Sequence, residues 1–275
     1  MKSTSHKGHI DRKLLNELGP EDVFSVLGSF SQGAYLEDAC GRIVLLCDDC
    51  YGQIPFAVAV GGYPALLGPS RITQQTRLYL KDGHIIAEEE PIIELVSYDA
   101  RDEGILPVPD IRRMRIWKDA LADCGRGAFR ALADAGRETD DSKAVMAILR
   151  GRGIGELDEE EQIRLLEEII GRGPGLTPSG DDLLCGYLYL TLHTGRDVEK
   201  LMKHAEEMMK ERTNRISRLY LRHVMDGGRF SLFDDVLKAA EDSEARRAAD
   251  RLLGMGSNSG ADILCGMLMA CREDC

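Results

Sequence analysis

Ser179-Gly180-Asp181-Asp182-Leu183-Leu184-Cys185-Gly186 returns 80 residues later as Ser259-Gly260-Ala261-Asp262-Ile263-Leu264-Cys265-Gly266, with six of the eight positions identical. Ser-x-x-Asp ahead of an apolar run marks a helix start. In a capping box the Ser hydroxyl accepts the N3 amide and the Asp carboxylate reaches back to the N-cap amide, each cap being worth ~1 kcal/mol. Capping leaves the glycines unexplained. Gly180 and Gly260 would fall at N1, where Gly costs about 0.5–1 kcal/mol against Ala unless a backbone or a ligand has to come close. Gly186 and Gly266, beside Cys185 and Cys265, would let two buried helices cross closely. The pattern therefore predicts a pseudo-symmetric helix pair with neighbouring N-termini, since four residues rise only about 6 Å and packed axes lie about 8 Å apart. Converging N-termini offer unpaired amides and positive dipole ends, which suit an anion.

The two copies are not equivalent. Gly173-Pro174-Gly175-Leu176-Thr177-Pro178, a stiff loop presenting Thr177 and backbone amides, precedes the first. The second follows a degenerate loop, Gly254-Met255-Gly256-Ser257-Asn258, and has Ala261 where the first has Asp181. A carboxylate not needed for capping, in such a loop, is a candidate general base, amide acceptor or metal ligand. The competing reading is a solvated first-turn Asp favoured by the helix dipole. One duplicated scaffold carrying one site is the expectation.

Outward from the repeat, helical periodicity extends back to Ile111. Ile116, Ala120, Leu121 and Cys124 share one face, Val145, Ile148 and Leu149 another, and Ile163, Leu166, Ile169 and Ile170 a third behind the acidic turn Asp158–Glu161. Further helices are expected over 198–210, 215–225, 232–240 and 244–253. Before Pro107 and Pro109 the runs are short and strand-like: 42–47, 56–60 and 84–87, broken by glycines. Asp82-Gly83 is a hairpin turn. The fold class is α+β, with a β-rich domain over 1–110 and a helical domain over 111–275.

Hydrophobic residues at 43% and charged residues at 30% describe a globular chain, and the net charge of −12 opposes nucleic acid or an anionic membrane as partner. The start of the sequence has no apolar signal region, and the longest apolar stretch, 183–192, is too short to span a bilayer. The eight cysteines read as reduced thiols of a cytoplasmic protein. Cys47-x-x-Cys50 lacks the further ligands a zinc site needs and reads as incidental.

Gly171-Arg172-Gly173-Pro174-Gly175-Leu176-Thr177-Pro178-Ser179-Gly180-Asp181-Asp182 resembles the signature loop of the AllH family. Gly254-x-Gly256-x-x-Ser259-Gly260-Ala261-Asp262-x-Leu264-x-Gly266 resembles its later motif, and Arg212-Thr213-x-x-Ile216-Ser217-x-x-Tyr220-Leu221-Arg222, ending near Gly227-Gly228-x-Phe230, its middle one. The resemblance covers most of 163–270. It implies a subunit of oxamate carbamoyltransferase, working with AllF- and AllG-like partners in allantoin (purine) breakdown and exchanging oxalurate plus phosphate with oxamate plus carbamoyl phosphate. The Ser-Thr-Arg-Thr phosphate loop of aspartate- and ornithine-type carbamoyltransferases has no counterpart, Arg212-Thr213-Asn214-Arg215 being a different pattern.

The expected site follows. Amides of Gly173, Gly175 and Gly180 with the Thr177 and Ser179 hydroxyls hold phosphate or carboxylate. Asp181 or Asp182 binds the substrate amide or a divalent metal such as Mg2+. Thr213, Arg215 or Ser217 completes the pocket, an Arg there offering bidentate contact to an oxyanion, and Ser259, Gly260 and Asp262 line it from the second copy. Thr177, Asp181 and Asp182 are the catalytic candidates. Two alternatives stay open: a regulatory subunit that only senses a small anion, and a stand-alone enzyme holding Mg2+ on Asp181, Asp182 and Asp262.

Overall fold

Alternating apolar residues in short runs need a sheet with one buried face, and eight strands supply it by closing into a barrel. The structure, a computed structural model, describes residues 6–19, 22–67, 72–88, 90–99 and 104–271. The strands are β1 (His6–Asp11), β2 (Val23–Phe30), β3 (Gly33–Asp38), β4 (Ile43–Asp48), β5 (Ala57–Val60), β6 (Arg77–Lys81), β7 (His84–Ala87) and β8 (Glu90–Tyr98). Short helices α1 (Arg12–Glu17) and α2 (Tyr63–Leu66) interrupt them. The order round the barrel is β1-β5-β4-β3-β2-β6-β7-β8. Neighbours are antiparallel except β1/β8 and β4/β5. Ala34, Leu36, Val44, Leu46, Val58 and Val60 alternate into its core, which at eight strands is just wide enough for side chains to fill. The β6–β7 hairpin turns at Asp82-Gly83, with φ of 49° and 74°, as that dipeptide predicts.

The barrel unit comprises Met1–Asp102 with Arg229–Ser231; Glu103–Gly228 with Leu232–Cys275 form the helical unit. The latter contains α3 (Ile111–Cys124), α4 (Asp140–Leu149), α5 (Glu159–Ile169), α6 (Ser179–His193), α7 (Glu199–Arg212), α8 (Arg215–Met225), α10 (Asp242–Leu253) and α11 (Ser259–Cys271), with α9 (Ser231–Lys238) entering it after its first residue. The α+β reading holds. The buried face of α3 is Met114, Trp117, Ala120 and Leu121, rotated from the expected one because Trp117, the largest side chain on the helix, takes the core. The acidic turn does lead α5, and Asp158 and Glu161 there cap the helix reciprocally.

The helices that position the repeat are α6 and α11, and both are buried along nearly their whole length. They cross back to back at the repeated glycines. A Cβ on Gly186 would lie 1.9 Å from the Ile263 carbonyl oxygen, and one on Gly266 would lie 2.0 Å from the Leu183 carbonyl oxygen. The two contacts are related by the 80-residue offset. The predicted pseudo-symmetric crossing is present.

Candidate functional site

At the top of this crossing the two helix starts meet. The Thr177 and Ser259 hydroxyls are 3.0 Å apart, so the loop before α6 touches the first residue of α11. Gly180 and Gly260 serve close backbone packing: a Cβ on either would lie 1.8 Å from a carbonyl oxygen, of Ile169 at the end of α5 or of Leu252 near the end of α10. Each repeat is thus a helix, a loop and a second helix pressed back on the first.

The capping-box reading is corrected. Pro178, not Ser179, occupies the N-cap of α6, and no side chain caps that end. The fixed φ of proline starts the ladder one residue early, so the Pro178 carbonyl accepts the Asp181 and Asp182 amides at 2.9 and 3.0 Å. In α11 the Asn258 carbonyl does the same for Ala261 and Asp262. The Gly180 amide donates to Arg172 O and the Gly260 amide to Met255 O. The free amides expected for an anion are therefore engaged at Gly180, Asp181, Asp182, Gly260, Ala261 and Asp262. Freed from capping, each serine reaches across the pair. Ser259 lies close enough to Asp182, and Ser179 to Asp262, to oppose the rise of each carboxyl.

Three carboxylates lie at this junction, Asp181, Asp182 and Asp262, exposed by 1%, 6% and 0%. Among the described residues none has an ion-pair partner. Asp181 is saturated: Oδ1 accepts the Gly171 amide at 2.8 Å, while Oδ2 accepts the Ser217 hydroxyl at 2.6 Å and the Thr213 hydroxyl. Asp181, Thr213 and Ser217 do come together, but as a knot joining the loop after α5 to the start of α8. Arg215 is exposed at that start. Asp182 and Asp262 differ from Asp181, since each has an Oδ2 atom that is buried and has no hydrogen-bond partner. The three carboxylates are thus unequally engaged, and among the described residues no group of three or more His, Cys, Asp or Glu side chains is arranged to hold a metal ion.

Burial is the main cause that pushes the Asp182 carboxyl well up from its ordinary value, helped by the charges of Asp262 and Asp181 and opposed by Ser259 and Thr177. Burial likewise pushes Asp262 up to about 6, against the Phe129 amide, which donates to Oδ1 at 3.0 Å, and the Ser179 hydroxyl. A carboxyl raised in the folded state gives stability that is present below its ordinary value near 3.8 and lost as pH rises through about 6. Asp262→Asn removes that titration and keeps an oxygen for Phe129. Urea unfolding at pH 3.5 and 7.5 is expected to show the variant gaining on the wild type by roughly 3 kcal/mol between the two. A difference independent of pH would contradict this electrostatic account.

The loop residues Gly173 and Gly175 are exposed, with φ of 107° and 103°, so the mouth beside Thr177 faces solvent. Sequence reasoning passed over the opposite wall. Gly127, at φ 97°, leaves a Cβ position 3.2 Å from Asp262 Oδ1, and the Arg126 guanidinium donates to the carbonyls of Leu253, Gly256 and Ser257, fixing the loop before α11. The available signal was a tripeptide: Gly125-Arg126-Gly127 matches Gly171-Arg172-Gly173. Each follows a helix and lies against one of the two starts, Gly173 against Ser179.

Cys47 is buried in β4 and Cys50 exposed, both as free thiols. Burial pushes Cys50 up to about 12 and Cys47 higher still, so neither is a poised thiolate. Cys185, Cys265 and Cys271 are core residues, and Cys275 lies outside the described residues. No helix among the described residues is long and apolar enough to cross a membrane.

Residues 169–271 match the family described as oxamate carbamoyltransferase subunit AllH. No curated protein and no solved structure is significantly similar to the chain. The matched stretch, less than half of the chain, holds both helix starts, the loop before each and the Asp181 knot, so the similarity to the AllH family falls on the candidate site.

Proposed function

We propose that this chain is the subunit of an oxamate carbamoyltransferase that binds the carbamoyl-bearing ligand at its paired helix starts and turns over only with AllF- and AllG-like partners. The observation that carries the reading is that the family match, 169–271, contains both starts and the two buried carboxylate oxygens left without partners. The reaction is oxalurate plus phosphate to oxamate plus carbamoyl phosphate, or its reverse. The ligands combine an amide end with an anionic end, and the chain's residues are suited unequally to them. Asp182, Asp262, Ser179, Ser259 and Thr177 are hydrogen-bonding groups for an amide. They are poor company for phosphate, because the carboxylates repel it and the first-turn amides are engaged. The anionic end falls to the exposed Gly173–Leu176 loop and to donors supplied by partners, which gives a physical reason for a multi-subunit enzyme.

The test is reconstitution. Carbamoyl phosphate formation from oxalurate and phosphate is expected when the chain is mixed with AllF- and AllG-like proteins, and not from the chain alone. Turnover by the chain alone would make it a stand-alone enzyme. A folded mixture of all three without turnover would leave the regulatory reading, in which the loop senses a small anion without chemistry.

A further inference from the structure

Buried carboxylate oxygens are rarely left without a donor, because each forfeits its hydration without return. The helical unit leaves two such atoms at one place. Asp182 Oδ2 belongs to the first repeat and Asp262 Oδ2 to the second; their side chains are 6% and 0% exposed. The charge of Asp262 reaches Asp182, a serine of the opposite repeat lies near each, and the Thr177–Ser259 bond joins the two repeats beside them.

Three kinds of occupant could supply what they lack. An anion offers no donor and meets two carboxylates. A bare hard cation wants about six oxygen ligands, yet both oxygens of the neighbouring Asp181 are taken by Gly171, Thr213 and Ser217. A primary amide carries two N–H bonds diverging from one uncharged nitrogen, which matches two acceptors, one from each repeat.

We propose, resting on the carbamoyltransferase reading for the identity of the ligand, that Asp182 Oδ2 and Asp262 Oδ2 accept the two N–H bonds of the ligand's primary amide (carbamoyl) group. The Thr177–Ser259 bond is the contact that opens to admit the ligand, since Thr177 lies at the solvent-facing edge. Burial raises both carboxyls, and N–H bonds donated by the ligand would favour their ionised, accepting forms.

The test is selectivity, measured by calorimetric titration of the full chain, alone and reconstituted with its partners. Oxamate is compared with oxalate, which has oxygen in place of the amide nitrogen, and with N,N-dimethyloxamate, which has no N–H. Wild type is expected to prefer oxamate over both by at least about tenfold, since a site built around N–H donors rejects analogues lacking them. Asp182→Asn and Asp262→Asn turn the free acceptor into a donor without changing shape, so each should erase the preference while melting no lower than wild type. Equal binding of the three ligands by wild type overturns the proposal whatever the variants do, and so does an Asn variant that keeps the preference. Mg2+ alone raising the melting temperature of wild type but not of the variants also overturns it, in favour of a cation. Turnover by the reconstituted enzyme without amide selectivity sinks this inference and spares the carbamoyltransferase reading. Selective oxamate binding with no turnover in any mixture does the reverse.

Discussion

Gly186→Ala is expected to cost ~4 kcal/mol or more, enough to abolish cooperative unfolding of the helical unit in a marginally stable protein. A new methyl carbon would sit 1.9 Å from the Ile263 carbonyl oxygen, well inside van der Waals contact. Relief requires the axes of α6 and α11 to separate by more than an ångström, because the obstacle is main chain and has no rotamer to adopt. Ordinary overpacking costs about 1–3 kcal/mol when side chains can yield. Here separation would unpack helices whose facing residues, Leu183, Leu184, Ile263 and Leu264, are each no more than 2% exposed. Gly266→Ala should behave alike, since its methyl would meet the Leu183 carbonyl at 2.0 Å and the Tyr187 amide at 2.8 Å. Urea unfolding followed by far-UV circular dichroism checks both. A loss below about 1 kcal/mol in either variant would mean that the helices do not cross this closely.

The same crossing shows what could be read from sequence. Two copies of Ser-Gly-x-Asp-[Leu/Ile]-Leu-Cys-Gly implied a close helix pair, because small residues at matched offsets have few other uses in apolar helices. The acidic start of α5 and the Asp82-Gly83 turn were legible for a similar reason: their chemistry is local and their partners lie within a few residues. Barrel closure was not. The parallel pairings of β1 with β8 and of β4 with β5 need a distant partner or a crossover in place of a hairpin, and nothing in a strand's alternation names its neighbour. The serines misled for a specific reason. Ser-x-x-Asp looks the same whether the two residues bond each other or each bonds its counterpart in a second copy, and only the placement of the copies decides. Glycine was ambiguous in the same way. Gly180 and Gly260 left a backbone or a ligand open as the approaching group, and it is the backbone carbonyl of Ile169 or Leu252. The second Gly-Arg-Gly, at 125–127, carries no sequence sign of its role, which is to bring the chain to Asp262, where the Phe129 amide donates to Oδ1.

Asp181→Ala is the other large effect expected, a loss of roughly 3–5 kcal/mol, because it leaves buried donors facing a void. The Gly171 amide and the Thr213 and Ser217 hydroxyls all converge on this carboxylate. The amide cannot turn elsewhere, since Gly171 is wedged against the Arg212 carbonyl, where even a Cβ would come within 1.9 Å. Burial raises the Asp181 carboxyl despite its three donors, so removing the charge returns part of the cost. Asp181→Asn separates structure from chemistry. Its oxygen still accepts the Gly171 amide, and its nitrogen can donate to hydroxyls that rotate, so a loss under about 1.5 kcal/mol is expected. If Asp181 only ties the loop to α8, the Asn variant reconstituted with its partners should turn over within about threefold of wild type. A folded Asn variant without turnover would instead place Asp181 in the reaction. The comparison with Asp182 and Asp262 then becomes informative: the same isosteric change should leave stability intact there, or raise it, while ligand selectivity disappears. A carboxylate with all its bonds made inside the protein and a carboxylate with one oxygen left over thus predict opposite separations of folding from binding.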